Sequence, residues 1–264
     1  MKTLIYQVYT GKRSKLYDHC THSVAEYAER IGADYICQRA PILMIAPDPF
    51  VTNRSKESYE KYGGFLPIYE KENALGYLDR YDSVAVIDAD IWIRPFIEES
   101  IFSAVGSACD FAGVLQRSMP ITNQYRNKLA NYTRMQYGMN PIAKLFDWNH
   151  PAGADFYNMG MMVLNKSIAK YLNGQTPEQF IRRAEFKPFV DGMGGWKWAT
   201  DQTLLNYWIK KERMKTKNLS FHWNGLFTGI EMDRIKECNF VHFFLKDKLP
   251  NRGENVEELM QYVS

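Results

Sequence analysis

The chain has 264 residues, with 33 Lys and Arg against 30 Asp and Glu, and a formal net charge of +3. This length is enough for one large domain or two small ones. The near-balanced charge excludes a protein that binds nucleic acid through many phosphate contacts, so no nucleic-acid partner is expected.

The chain opens with a β-α-β pattern. A β-branched and aromatic run at 3–9 predicts a strand that ends near Thr10. A helix is predicted at Thr21–Ile31, with Gly32 as its stop, and a second strand at Ala33–Gln38. This order is typical of a parallel sheet with helices on its faces.

A proline-rich connection follows, and then a helical stretch at 55–81 that Gly63, Gly64 and Pro67 interrupt. The clearest strand comes next, at Val84–Ile87. It is continuously apolar, as expected of a central strand covered on both faces.

Apolar periodicity and turn residues predict the remaining elements. Helices are expected at 96–105, 122–139, 167–172, 177–184 and 200–211, and strands at 110–115, 156–165 and 240–244. We find no internal repeat and no linker that would divide the chain. A single α/β domain with a mainly parallel central sheet is therefore predicted over residues 1–264.

The cysteines and the N-terminus bear on the compartment. The four cysteines are far apart and without Cys-x-x-Cys spacing, which predicts free, mostly buried thiols. The first apolar run is too short for a signal peptide, and no stretch is as long as a bilayer span. A cytoplasmic protein without an integral membrane segment is expected.

The central strand runs directly into Asp88-Ala89-Asp90. Side chains at i and i+2 of a strand point to one side, which predicts that Asp88 and Asp90 form one acidic site. In α/β sheets ligands bind at the carboxyl ends of strands. Since two adjacent carboxylates repel each other unless a cation lies between them, a divalent metal is predicted here.

Two other interpretations of the Asp pair are open. A bare Asp-x-Asp also occurs by chance as a solvated turn after a strand. Haloacid-dehalogenase-type phosphatases also place Asp-x-Asp after an apolar strand, with the first Asp as nucleophile. They usually have it near the N-terminus and follow it with Thr or Val at the position of Trp92, so the phosphatase is the weaker alternative.

Four segments occur in the order seen in family 8 glycosyltransferases. They are YDSVAVIDADI (81–91), YNMGMMVLN (157–165), TDQTLLNYW (200–208) and VHFFLKDK (241–248). Over roughly 81–248 the chain resembles this glycogenin and lipopolysaccharide-galactosyltransferase group. The resemblance implies a GT-A fold whose 1–115 half binds the nucleotide and whose 116–264 half binds donor sugar and acceptor. It also implies retaining transfer of a hexose from a UDP-sugar to a carbohydrate or other hydroxyl acceptor.

The resemblance implies a metal site at Asp88, Asp90 and His242. Two carboxylates and an imidazole suit Mn²⁺ better than Mg²⁺, which is the alternative. The metal would stabilise the diphosphate leaving group. Without the resemblance, His242 would be interpreted as a core histidine.

The resemblance also implies donor-binding residues. They are Tyr9, Thr10, Lys71, Asp88, Ala89, Asp155, Asn158, Gly160, Lys246 and Lys248. Lys71 is one position out of register with the family lysine. Lys248 matches the family lysine that contacts phosphate, but the usual glycine three residues after the histidine is Leu245, so Lys246 could share this role.

Asp201 and Gln202 match the family pair beside the anomeric carbon. Asp201 would bind sugar hydroxyls or orient the acceptor, and Gln202 would stabilise positive charge. Neutral Gln202 is a poor nucleophile, which favours a front-face reaction. From the residues alone, Asp201 also fits a charge that complements a helix dipole next to a Thr200 cap.

Other parts of the chain are assigned to closure of the donor site and to the acceptor. The loop at 190–198 could close over the donor and exclude water. Candidates for the acceptor site are Trp196, Trp198, Trp223 and Phe227. A nucleotide-sugar or glycan-binding protein that keeps the fold without turnover is the other alternative, and Leu245 is its best support.

Overall fold

The computed structural model describes residues 1–263, which form nine strands, nine α-helices and several 3₁₀ helices. The strands are β1 (Thr3–Val8), β2 (Asp34–Gln38), β3 (Ser83–Ile87), β4 (Ile91–Ile93), β5 (Phe111–Leu115), β6 (Tyr157–Asn165), β7 (Thr216–Asn218), β8 (Gly225–Leu226) and β9 (Phe240–His242). The α-helices are α1 (Lys15–Arg30), α2 (Glu57–Glu60), α3 (Ile101–Val105), α4 (Asn123–Tyr137), α5 (Pro177–Ile181), α6 (Lys187–Asp191), α7 (Asp201–Lys211), α8 (Met232–Ile235) and α9 (Val256–Gln261).

A six-stranded central sheet has the order β2-β1-β3-β6-β5-β7. Its pairs are parallel except at β6, which is antiparallel to both β3 and β5. Helices α1 and α7 pack against it, at β2 and β6 respectively. The predicted fold class, a mainly parallel sheet flanked by helices, is confirmed. Every residue of β3 and β6 is buried, which explains the apolar runs at Val84–Ile87 and Met161–Leu164.

A second, three-stranded sheet has the order β4-β9-β8. Strand β4 begins immediately after Asp90 and pairs antiparallel with β9, placing Ile91 opposite His242. The sequence predicts β9 as a strand ending at Phe244 but does not predict β4 or β8, because two- and three-residue strands leave no periodic pattern. This small sheet joins segments about 150 residues apart and determines the geometry of the site.

Several predicted helices have different bounds or types. Helix α1 begins six residues before the predicted start, because Leu16 and Cys20 extend its buried face toward the N-terminus. The stretch predicted as helical at 55–81 contains only the one-turn α2 and a 3₁₀ helix at Pro67–Tyr77. Positive φ angles at Gly63 and Gly64 separate the two.

Two predictions from composition can be compared with the structure. All four cysteines are free, and three of them are buried. Among residues 1–263, no helix combines the length and apolarity needed to cross a bilayer.

Candidate functional site

Asp88 and Asp90 lie in a tight turn between β3 and β4, not in an extended strand as predicted. The Ile91 N–H donates to the Asp88 carbonyl at 3.1 Å, which closes the turn. The Asp88 N–H donates to the Gly160 carbonyl at 2.7 Å, so the first aspartate stays attached to β6. The two carboxylates still converge. They do so because the backbone turns between them, and not because alternate side chains of a strand point to one side.

The small sheet brings His242 to this turn. The Phe243 N–H donates to the Asp90 carbonyl at 2.9 Å and so continues the β4–β9 pairing. The His242 Nε2 lies 3.2 Å from Asp90 Oδ1 and 3.8 Å from Asp88 Oδ2. One ligand atom from each of the three side chains lies within 4.8 Å of the other two. Two carboxylates and one imidazole at this spacing fit a divalent transition metal.

Burial and charge act in opposite directions on these groups. Burial would lower the pKa of His242, but the facing Asp90 and Asp88 carboxylates outweigh it and raise that pKa above its ordinary value. Burial would raise the pKa of Asp90, but the imidazole holds it below the usual value. For Asp88 burial prevails and the pKa is raised, although Lys71 opposes the shift. The three groups therefore form a mutually dependent charged cluster.

Lys71 is the cation of this cluster. Its Nζ lies 2.8 Å from Asp88 Oδ1 and 2.8 Å from Asp201 Oδ2, and it donates to the Met159 carbonyl at 3.1 Å. Burial would lower the pKa of this ammonium, but Asp201 and Asp88 outweigh it and raise the pKa. The 3₁₀ helix at Pro67–Tyr77 thus links the Asp pair of β3 to the start of α7.

Three members of the charged cluster lie where two chambers of the cleft adjoin, whereas His242 lines only the second chamber. Ile68, Lys71, Asp88 and Asp90 line both. The first chamber has a volume of about 260 Å³, and its other lining residues are Val8, Tyr9, Thr10, Tyr17, Pro67 and Ala89. The second has a volume of about 530 Å³ and extends along α4 and the start of α7.

The second chamber contains most of the remaining predicted residues. Asn158, Gly160, Asp201 and Gln202 all line it. The Gln202 Oε1 accepts from the Met159 N–H at 3.2 Å. The structure therefore brings together residues from β6, α7 and β9 that the sequence could place only in separate motifs.

Some predicted residues lie elsewhere. Asp155 does not line either chamber: its carboxylate accepts from the Asp147 N–H and forms an ion pair with Lys210. Lys246 binds Ser14 and Glu254. Lys248 lies beside Lys128, whose ammonium lowers the pKa of Lys248.

The aromatic residues proposed for the acceptor do not line the cleft. Trp223 and Phe227 are each only 5% exposed and pack in the core against Phe240 and Phe243. The segment 190–198, predicted as a loop, consists of the end of α6 and a 3₁₀ helix. The Arg54 guanidinium anchors it through hydrogen bonds to the carbonyls of Phe189, Val190, Lys197 and Ala199.

Several residues of the site were not predicted from the sequence. The α4 face that lines the second chamber consists of Tyr125, Lys128, Leu129 and Tyr132. Spacings of three and four residues are those of one helix face, but without the fold this signal cannot be assigned to a cleft. Tyr17 in the first chamber and the buried Asn224 behind His242 were also missed.

No protein-family model matches the sequence, and no curated protein matches it. Solved structures do match over nearly the whole chain. A glycosyltransferase involved in glycosylation of the major capsid of PBCV-1 has a TM-score of 0.58 at 11% identity, covering 99% of this chain and 100% of that chain. The galactosyltransferase LgtC, solved with donor and acceptor sugar analogs, has a TM-score of 0.54 at 12% identity, covering 98% and 95%. The chain has a GT-A fold.

A third match agrees with this fold. Mouse xyloside xylosyltransferase 1 has a TM-score of 0.50 at 11% identity and covers 95% of this chain and 100% of that chain. Identities this low show the GT-A fold alone. The GT-A fold predicted from the four sequence motifs is therefore confirmed.

Proposed function

We propose that the protein is a metal-dependent glycosyltransferase that transfers a hexose, with retention of configuration, from a UDP-sugar to a hydroxyl acceptor. The observation that most supports this is the convergence of His242 with Asp88 and Asp90, the two carboxylates that line both chambers of a GT-A cleft. A nucleotide sugar has its diphosphate between its nucleoside and its sugar. A cation site between two chambers fits such a molecule.

The first chamber is the proposed nucleoside site. Tyr9 and Tyr17 line it, and their ring centroids lie 5.4 Å apart in an edge-to-face arrangement. Thr10 and Ala89, which have small side chains, also line this chamber. The Arg39 guanidinium lies 4.2 Å from the centroid of the Tyr9 ring. We propose that the uracil base packs against this aromatic pair and that Asp88 and Asp90 mark the diphosphate end.

Asp88, Asp90 and His242 would hold the divalent metal, with manganese preferred for the mixed carboxylate and imidazole set. When bound, it would supply positive charge to the diphosphate as the bond to the sugar breaks. Lys248 is the proposed lysine on the same phosphates, since it lies beside Lys128, which lines the second chamber. The Lys246 ammonium is already bound by Ser14 and Glu254.

Leu245 occupies the position where the family pattern has glycine. Its φ of 58° and ψ of 58° lie in the left-handed region that favours glycine. Leucine adopts this conformation at a cost of about 1 kcal/mol. Its side chain lines the second chamber. The leucine side chain at this position is the specific observation that favours the second candidate function, a nucleotide-sugar-binding protein without turnover.

The second chamber is the proposed site of sugar transfer. Gln202 presents its amide there, and Asp201 is oriented by Lys71. We propose that Asp201 binds a sugar hydroxyl and that Gln202 stabilises the positive charge that develops at the anomeric carbon. The Tyr125, Leu129 and Tyr132 face of α4 replaces the four tryptophan and phenylalanine residues as the proposed acceptor wall, since aromatic rings pack well against sugar faces.

The experiment that tests the function is a calorimetric titration of UDP into the protein with and without Mn²⁺, followed by assay of UDP release from a panel of UDP-sugars. We expect binding that depends on the metal in the wild type. In Asp90→Ala the metal-dependent part should disappear, because one of three ligands is lost.

The outcomes separate the alternatives. Absence of UDP binding under any condition would contradict the proposal. Binding without UDP release from any donor and acceptor would favour the binding protein. Release of inorganic phosphate from simple phosphomonoesters, abolished by Asp88→Asn, would favour the phosphatase.

The pH dependence of Mn²⁺ binding follows from His242. A proton on Nε2 competes with the metal, and the facing carboxylates raise the pKa of this imidazole. Below the raised pKa the affinity should therefore fall about tenfold for each pH unit, and above it the affinity should level off. Electron paramagnetic resonance of free Mn²⁺ across the neutral range measures this. A flat profile through that range would show that His242 does not bind the metal.

A further inference from the structure

A chain of buried side-chain amides connects His242 to the wall of the second chamber. The His242 Nδ1 lies 3.1 Å from Asn224 Oδ1, and the Asn224 amide donates to Asn158 Oδ1 at 2.8 Å. The Asn158 amide donates to Gln116 Oε1 at 3.0 Å, and the Gln116 amide donates to the Tyr125 hydroxyl. Asn224 is fully buried, so this chain lies behind the imidazole and away from solvent.

One backbone N–H determines which group donates and which accepts in this series of side-chain hydrogen bonds. The Gly160 N–H donates to Asn158 Oδ1 at 3.0 Å, and a backbone N–H can only donate. The oxygen of Asn158 must therefore face Gly160 and Asn224. Asn224 must then turn its NH₂ group to Asn158, which leaves its own oxygen facing the imidazole.

An oxygen acceptor at Nδ1 has a consequence for the other ring nitrogen. A ring that binds a metal through Nε2 keeps its proton on Nδ1, and Asn224 accepts that proton. In the ring without a metal, the Asp90 carboxylate 3.2 Å from Nε2 is a competing acceptor. Metal-binding histidines commonly have their second nitrogen held by an acceptor of this kind. A Cβ at Gly160 would lie 2.5 Å from His242 Nδ1, so the ring is confined on that side too.

We propose that Asn224 is a positioning residue that accepts the Nδ1 proton of His242 when the metal is bound, and so keeps the Nε2 lone pair directed at the proposed metal position. The inference rests on the proposed function, because it assigns Nε2 to that metal. The residues that provide this acceptor are Asn224 directly and Asn158 with the Gly160 backbone behind it. Asn224 would touch neither substrate nor metal, and its sequence context, Trp-Asn-Gly, predicts only a turn.

The first test uses Asn224→Leu, which keeps the branched shape and the number of heavy atoms of the side chain and removes the acceptor. Mn²⁺ affinity, measured by electron paramagnetic resonance, should fall about 10–100-fold. The matched control is Asn165→Leu: Asn165 is also a buried, hydrogen-bonded asparagine, but it lies at the opposite end of β6 from Asn158. This variant should bind Mn²⁺ like the wild type.

The second test has a readout in the wild type alone. Nitrogen-15 NMR of histidine-labelled protein loaded with Zn²⁺, a diamagnetic ion that takes the same ligand types, reports which ring nitrogen of His242 bears the proton. We expect Nδ1–H in the wild type and faster exchange of this proton with water in Asn224→Leu, because its acceptor is gone. A wild-type ring protonated on Nε2 would overturn the inference even if Asn224→Leu does not fold.

The two proposals fail in different ways. If the wild type does not bind Mn²⁺, the proposed metal-dependent function fails. If the wild type binds and Asp90→Ala does not, but Asn224→Leu binds as tightly as Asn165→Leu, the function stands and the role of Asn224 is wrong.

Discussion

Lys71→Met is expected to lower the free energy of unfolding by about 3–5 kcal/mol, the usual effect of removing one partner from a buried ionic cluster. The Lys71 side chain is 9% exposed and pairs with Asp88 and Asp201. Glu72, also buried, has a pKa raised well above its usual value by burial and by Asp201. Methionine would fill a similar volume but leave the carboxylates without their cation. Urea denaturation measures the change.

The control for this prediction is Lys56→Met. The Lys56 side chain is 77% exposed and pairs with Glu60 on the protein surface, so the change should lie within about 0.5 kcal/mol of the wild type. Adding Asp201→Asn to Lys71→Met should restore part of the stability, since one of the unpaired charges is removed. Acid should also reduce the deficit, because protonation neutralises the carboxylates. Equal stability of the two lysine variants would show that Lys71 is not the cation of the cluster.

Gly160→Ala is expected to reduce Mn²⁺ affinity about 100-fold, more than any substitution outside the ligands. The new Cβ would lie 2.5 Å from His242 Nδ1 and 3.0 Å from Asn158 Oδ1. Asn224 and Asp90 hold the two ring nitrogens of the imidazole, so any movement of the ring breaks these contacts. The ring must therefore leave the position in which Nε2 faces the carboxylates. Titration followed by electron paramagnetic resonance gives the affinity.

A double-mutant cycle tests the cause of this loss. Gly160→Ala should cost about 1–3 kcal/mol of stability through overpacking in the wild type and much less in a His242→Ala background, where the space is open. Gly76→Ala is the matched control, because its new Cβ would meet only Pro177 at 3.4 Å, an ordinary contact. If Gly160→Ala bound Mn²⁺ like Gly76→Ala, His242 could not be a ligand in the orientation seen here.

The strands of the central sheet could be predicted with good accuracy. Strands β3 and β6 are buried on both faces, and this burial demands the apolar runs from which they were predicted. The start of α7 at Asp201 was equally clear from Thr200 and the apolar spacing that follows. In contrast, β7 pairs with β5 although all three of its residues are exposed, and such an edge strand has no apolar pattern to find.

The site was predictable only in part, and Lys71 and Asp155 show why. Both were assigned to donor binding from their positions relative to motifs. Lys71, one position out of register, lies at the centre of the charged cluster, whereas Asp155, three residues before Asn158, pairs with Lys210 outside both chambers. The number of residues between a side chain and a motif does not determine which way that side chain points. Proximity to a motif therefore cannot distinguish Lys71, which lies in the charged cluster, from Asp155, which lies outside both chambers.

By itself, the sequence determined the strand that ends at Ile87, directly before Asp88, and the order of four motifs from which the GT-A fold was predicted. A strand that is buried on both faces needs a run of apolar residues, and such a run can be recognised in the sequence. Only the tertiary structure decided that Lys71 joins Asp88 to Asp201 and that Asn224 lies behind His242. These contacts depend on the register of β4 with β9 and on a 3₁₀ helix packed beside the sheet. Such long-range pairings are set by the packing of the whole chain, which no single segment encodes.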